Sequence, residues 1–355
     1  MFDIHPEWFG RNGHPGTTSF RFGPMNSGKT RDTVRVRDEK NHDGGNVASI
    51  NHSSNSRDGA SLAVDGQSHG AAIQASCVAE IKESLEFTVR KIFSRRIEDQ
   101  GKDGRITING ITHRKYRPLV AVAIDEVNLY ALNSHDAEEL IDFLKWSRKV
   151  GLDVYSSGLL YDFRGEYFGH IRAIIPHIDH LIPVTARCKA VHDGTQCGDT
   201  AYNSQRVWSR DFLETQKLGM VAEAMELYDF ADKEGKIISD KYVAAPFFDK
   251  TLRIEEAQDG RVKYFPVCHD CFTVPFKKEV DAVYQAVVHK PQTGKELMGL
   301  LDSPRLTGAI LHFLQGESLG DGNYLTGSQL IRQREGLLEA VPFYKTSVGT
   351  FESRS

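Results

Sequence analysis

The string Gly23-Pro24-Met25-Asn26-Ser27-Gly28-Lys29-Thr30 satisfies G-x-x-x-x-G-K-[ST] in full. In this pattern the glycines let successive backbone N–H groups curl around a phosphate, and the helix after them adds the positive end of its dipole. Lys29 would reach the β- and γ-phosphates and the Thr30 hydroxyl would ligate Mg²⁺. A β-prone run, residues 17–22, precedes the motif and helix-compatible residues 28–40 come after it. That order of elements is what a nucleoside triphosphate cradle requires.

A second signal is Asp125-Glu126, at the end of the apolar run Leu119-Val120-Ala121-Val122-Ala123-Ile124. Such a run reads as a strand buried on both faces of a parallel sheet. An aspartate at its carboxyl end can hold Mg²⁺, and a second carboxylate beside it can act as general base. Four of the five cysteines form a third signal, Cys188-x8-Cys197 with Cys268-x2-Cys271. Two pairs of thiolates suit a closed tetrahedral Zn²⁺ site. The x8 gap is wider than the usual spacing, and His192 inside it could replace one cysteine. Cys77 reads as a core cysteine on a helix. The string Gly158-Leu159-Leu160-Tyr161-Asp162-Phe163-Arg164-Gly165-Glu166-Tyr167-Phe168-Gly169 reads, from spacing alone, as a strand and then a turn.

The elements that must position these residues alternate between strand and helix. Residues 47–50 and 152–160 read as strands. Residues 74–98 read as a helix, as does a segment capped by Ser134 that turns Leu140, Ile141 and Leu144 inward. Residues 51–70 read as a loop and 100–117 as a hairpin-like excursion. This alternation implies an α/β fold with a parallel sheet flanked by helices. From about residue 186 short segments take over, which suggests a small metal-stapled subdomain. Residues 209–240 read as a helical stretch, part of an insertion over about 207–250. The expected layout is a lead-in over 1–16, a P-loop domain over 17–185, a zinc-binding subdomain over 186–275 and an extension of unassigned role over 276–355.

With 40% hydrophobic and 26% charged residues in 355, the composition is that of a globular protein. A net charge of −4 argues against a nucleic-acid partner, which usually selects for a basic excess. No apolar run approaches the roughly 20 residues that span a bilayer. The first residues lack the basic and apolar regions of a signal peptide, so the expected compartment is the cytoplasm.

In order along the chain, GPMNSGKT, AIDE, GLLYDFRGEYFG and the cysteine pairs resemble the type II thymidine kinases, a zinc-containing family. The likeness spans about residues 17–275. It implies transfer of the γ-phosphoryl of ATP to the 5′-hydroxyl of thymidine or deoxyuridine, with Mg²⁺ and Zn²⁺ as metals and a homotetramer as the assembled form. It implies Glu126 as general base, Asp125 as a magnesium partner and Arg57 near the phosphates. It places Met25, Phe163 and Phe168 around the base, and Tyr264, four residues before Cys268, on the nucleoside. The family's lasso loop falls on about 251–264.

The departures cluster around the nucleoside. The family's D-E-x-Q-F is Asp125-Glu126-Val127-Asn128-Leu129, so a leucine stands where an aromatic flanks the base. The aspartate of G-L-D is Leu160, and the family threonine near the base falls at about Asn203. Phosphate chemistry is therefore the firmer expectation. The alternatives are a kinase of another nucleoside and a regulatory P-loop protein without kinase activity. An ATPase that moves nucleic acid is a weaker option.

Overall fold

A computed structural model describes residues 14–43, 45–53, 61–64, 67–71, 73–98, 105–108, 111–114, 119–215, 225, 227–232, 234–249, 261–289, 300–302 and 306–311. The chain divides into two units. The first takes Met1–Leu160 and Tyr167–Thr185, and the second takes Tyr161–Glu166 and Ala186–Ser355.

The first unit runs β1 (Thr18–Phe22), α1 (Lys29–His42), β2 (Asn46–His52), β3 (Ser61–Val64), β4 (Gln67–Ala71), β5 (Ile73–Ala75), α2 (Val78–Glu98), β6 (Arg105–Ile108), β7 (Ile111–Arg114), β8 (Leu119–Ile124), α3 (Ser134–Lys149), β9 (Asp153–Gly158), α4 (Ile171–Ile174) and β10 (His180–Pro183). Six strands form one sheet in the order β10-β1-β9-β8-β2-β5. Every pairing in it is parallel. Helices flank the sheet, so its central strands are apolar throughout: Phe20, Ile50, Val122 and Ile124 are wholly buried.

The register positions the chemistry. Phe22 lies beside Gly158, and Ile124 lies beside both Ser156 and Ile50. Residues 23, 125 and 157 therefore emerge together at the carboxyl edge of the sheet, where open α/β sheets bind ligands.

Three local expectations need correction. Residues 51–70 are not all loop: β2 continues to His52, and β3 and β4 pair antiparallel. Asp65-Gly66 between them is a strong hairpin signal, outweighed in the sequence by the polar residues around it. The cap of α3 is Asn133 rather than Ser134. Its side chain accepts the Asp136 N–H at 3.0 Å, and Ser134 is the first helical residue. The helix after residue 74 begins only at Val78, because Ile73–Ala75 joins the sheet beside β2. Cys77 thus precedes α2 and is only partly buried. The expected excursion at 100–117 contains the antiparallel pair β6–β7.

The second unit contains β11 (Ala186–Arg187), β12 (Ala190–His192), β13 (Thr195–Gln196), β14 (Thr200–Ala201), β15 (Asn203–Ser209), α5 (Arg210–Thr215), β16 (Leu227–Ala231), β17 (Ile237–Ala244), β18 (Val262–Val267) and a helix at Lys277–His289. Its main sheet is antiparallel in the order β13-β12-β16-β17-β15-β18. The helical reading of 209–240 is therefore wrong for its second half. Tyr228, Phe230, Ile237 and Ile238 are aromatic and β-branched residues that suit a pleated surface, and β16 and β17 fill the middle of the sheet. Among the described residues of that stretch, helix is confined to the short α5; residues 216–224 lie outside the described set. One face of the sheet packs a core of Val207, Phe230, Tyr242, Phe265 and Val267 with Cys188, Cys268 and Cys271. Phe230 and Phe265 stack with centroids 4.3 Å apart.

Candidate active site and metal centre

The turn between β1 and α1 is built by two glycines. A Cβ on Gly23 would stand 1.8 Å from the Val184 carbonyl oxygen, so only glycine lets the chain leave β1 there. Gly28 takes φ +88°, a left-handed conformation that costs other residues energy, and α1 starts immediately after it. Lys29 is buried, and its ammonium donates to the Gly23 and Pro24 carbonyls at 3.0 and 2.7 Å. The Ser27 hydroxyl oxygen is buried with no hydrogen-bond partner among the described residues. A buried hydroxyl costs energy until a partner arrives, so this orphan fits a phosphate in the turn.

Asp125 is 2% exposed. Its carboxylate accepts hydrogen bonds from the Thr30 hydroxyl at 2.9 Å and from the Ser157 hydroxyl. Thr30 and Asp125 offer the hard oxygen donors that Mg²⁺ takes. Glu126 comes next at φ 52°, ψ 47°, left-handed for a non-glycine residue. That conformation costs roughly 1–2 kcal/mol and is held by hydrogen bonds on both sides of it. The Glu126 N–H donates to Asp125 Oδ1 at 3.2 Å, and its carbonyl accepts the Leu129 N–H at 2.9 Å to open a 3₁₀ turn at Val127–Ala131. Asn128, wholly buried in that turn, accepts the Leu159 N–H at 2.9 Å. Leu129 and Phe168 of this unit are buried, and Met25 is partly exposed. Arg57 lies outside the described residues.

In the second unit, Phe163 and Tyr264 flank one guanidinium. Arg206 is wholly buried, 5.0 Å from the Phe163 ring and 5.7 Å from the Tyr264 ring. Asp249 balances its charge at 3.0 Å and also accepts the Trp208 indole N–H at 2.8 Å. Arg164 donates to the Phe247 and Asp249 carbonyls at 2.8 and 2.6 Å. Burial pushes the Tyr264 hydroxyl up to about 12 despite Arg206, so it stays a neutral donor at neutral pH.

The strand register separates Asn203 from Tyr264. Arg206 pairs with Tyr264 and Ser204 with Pro266, whereas Asn203 pairs with Val267. Side chains alternate along a strand, so Ser204 and Arg206 share the Tyr264 face, and Asn203 falls on the face of the core that holds Val267. Sequence reasoning passes over Ser204. The two-residue step from Ser204 to Arg206 is visible in the sequence, but not which strand lies opposite. Ser157 escapes it for the same reason.

The Cys188, Cys197, Cys268 and Cys271 sulfurs all lie within 4.8 Å of one another. The Cys197 and Cys268 sulfurs are 3.9 Å apart, close to the ~3.8 Å edge of a tetrahedron with ~2.3 Å zinc–sulfur bonds. The wide first gap closes because β12 and β13 fold back on each other, and the Cys197 N–H donates to the Ala190 carbonyl at 2.8 Å. His192 is not among the four clustered ligand atoms. Its Nε2 lies 3.0 Å from the Cys271 sulfur. Burial pushes the Cys188 thiol up to about 11 and raises that of Cys271 as well, so four thiolates require a cation among them. The cluster fits Zn²⁺.

A parallel sheet with a glycine turn, a buried lysine and paired carboxylates at its carboxyl edge defines a P-loop phosphotransferase. Residues 16–229 match the thymidine kinase family model, more than half of the chain, and the chain belongs to that family. It is an ATP-dependent nucleoside kinase.

Proposed function

We propose that Glu126 accepts the proton of a nucleoside 5′-hydroxyl as that oxygen attacks the γ-phosphorus of ATP, giving the nucleoside 5′-monophosphate and ADP. Thymidine or deoxyuridine is the nucleoside. The observation that carries this reading is the convergence of Lys29, Thr30, Asp125 and Glu126 at the carboxyl ends of β1 and β8. Phosphoryl transfer depends on positioning and charge neutralisation more than on covalent help. The turn from Gly23 to Thr30 binds the triphosphate through its N–H groups, the Ser27 hydroxyl and the Lys29 ammonium. Thr30 and Asp125 would hold Mg²⁺, which would supply positive charge at the phosphate oxygens. Arg57 adds to that charge on the strength of the resemblance. Glu126 directly succeeds Asp125, where the strand ends and the backbone turns left-handed.

Phe163, Tyr264 and Ser204 of the second unit are assigned to the base. The four cysteines would hold Zn²⁺, which would staple the second unit whose core they share. Among the described residues no helix is long and apolar enough to cross a membrane. A cytoplasmic homotetramer is the corresponding proposal for location and assembly.

The test is a phosphoryl-transfer assay with Mg-ATP and a panel of nucleosides. Thymidine or deoxyuridine should yield its 5′-monophosphate in step with ADP. ADP formation at the same rate with and without nucleoside would overturn the assignment.

A further inference from the structure

We infer that His192 donates a hydrogen bond to the Cys271 thiolate of a four-cysteine zinc centre, from outside the coordination shell. The inference rests on the zinc reading above. Four sulfurs already satisfy a tetrahedral zinc ion, and among the described residues these four form the compact donor set. The His192 Nε2 stands 3.0 Å from the Cys271 sulfur, within hydrogen-bond distance. A sulfur bound to zinc carries no proton, so the imidazole nitrogen must be the donor.

The local fold holds the ring there. His192 and Thr195 are the paired residues that close the β12–β13 hairpin. Between them Asp193 and Gly194 take φ 51° and 73°. Positive φ at both central positions is the signature of the tight type I′ turn, which fixes register. The residues that widen the first cysteine pair thus form a rigid hairpin that delivers one donor.

Electrostatics supplies the reason. A divalent ion with four thiolates is formally doubly negative, and this one sits at the edge of an apolar core. Such charge must be offset by hydrogen bonds. The Ala190 N–H reaches the Cys188 sulfur and the Cys271 N–H reaches the Cys268 sulfur. His192 does the same for Cys271. Partners of this kind orient the ligands, and their loss typically weakens metal binding about 10–100-fold.

The experiment uses the full-length holoprotein, wild type and His192→Ala, with His192→Gln as the variant that keeps an N–H donor. Zinc transfer to a chromophoric chelator should be about tenfold faster in His192→Ala, with His192→Gln closer to wild type. The cobalt-substituted wild type and His192→Ala should both show the absorption of four thiolates. Equal transfer rates for wild type and His192→Ala would overturn the proposal. So would a cobalt spectrum of three thiolates and one nitrogen in the wild type, which would make His192 a ligand. Purified wild type without stoichiometric metal would overturn the zinc centre itself, and this inference with it.

Discussion

The Thr30 hydroxyl donates a hydrogen bond to Asp125 Oδ2 at 2.9 Å, joining residues 95 apart in the chain. The contact exists because β1 and β8 both pair with β9, and parallel strands bring their carboxyl ends to one edge. Two motifs that are separate in sequence become one site by topology. The Ser157 hydroxyl, at the end of the intervening strand, holds the other oxygen of the same carboxylate. Asp125 is thereby fixed before any substrate arrives, which is what electrostatic preorganisation requires.

Lys29→Met should therefore remove the charge without disturbing the sheet. Losing one preorganised charge at a developing phosphoryl transition state costs on the order of 10²–10³ in kcat. The thermal unfolding midpoint should fall by only a few degrees, because methionine fills much the same volume and the loss is confined to hydrogen bonds to the Gly23 and Pro24 carbonyls. Turnover unchanged from wild type would remove Lys29 from the phosphate site.

Glu126→Gln keeps the size of the side chain and removes its basicity. Phosphoryl transfer should fall by about 10²–10⁴, the usual worth of a general base, while ATP affinity stays near wild type. Rapid-quench product formation paired with equilibrium ATP binding separates the two. A parallel loss of ATP binding would instead assign Glu126 to the triphosphate.

Legibility in the sequence tracks the strength of local signals. The P-loop is contiguous, so its eight residues identify themselves. The Leu119–Ile124 run is apolar on both faces and ends in two carboxylates, which gives a buried strand and a candidate base together. Signals spread over distant strands are harder. Asn203 and Ser204 are neighbours in sequence, and only the pairing of β15 with β18 decides which of them shares a face with Tyr264. A one-residue error in such a case moves a side chain to the other side of the sheet. The β16–β17 pair reads as helix because the apolar residues before it, Leu213, Leu218, Met220, Val221 and Met225, imitate a helical period. Its true state is set by partners on β12 and β15 that no local pattern reveals.

The pairing of β15 with β18 makes a contrast that can be measured. Ser204→Ala should raise the nucleoside KM several-fold, with the KM for ATP and the unfolding midpoint nearly unchanged. Asn203→Ala should leave the nucleoside KM within about twofold of wild type. Losing one hydrogen bond to a neutral group is worth about 1 kcal/mol, a factor of about five. The reverse pattern would place Asn203 on the substrate and overturn the face assignment.

Removing the metal should loosen the second unit. Cys268→Ser deletes one of four clustered ligands, and a structural zinc site contributes folding energy directly. Metal content should drop below one equivalent, and a strong chelator should lower the unfolding midpoint of wild type but not of the variant. Zinc retained at one equivalent in Cys268→Ser would mean the four-sulfur cluster is not the binding site.

Asp179 offers a test of the first unit at acid pH. Burial opposes its charge, but the Thr18 N–H at 2.8 Å, the Thr18 hydroxyl at 2.9 Å and the Arg148 guanidinium outweigh it and hold its carboxyl below the ordinary value. These bonds bind the start of β1 to the residue that precedes β10. A carboxylate with a depressed folded-state pKa stabilises the fold at every pH above its unfolded value, about 3.9, and that contribution is lost as pH falls through the folded value. Asp179→Ala should cost about 2 kcal/mol at pH 7, in keeping with hydrogen bonds to a charged acceptor. The gap between wild type and variant should shrink as the pH is lowered below about 4, read from urea midpoints across a pH series. A gap that stays constant or widens on acidification would show that the ionised carboxylate is not what joins these strands.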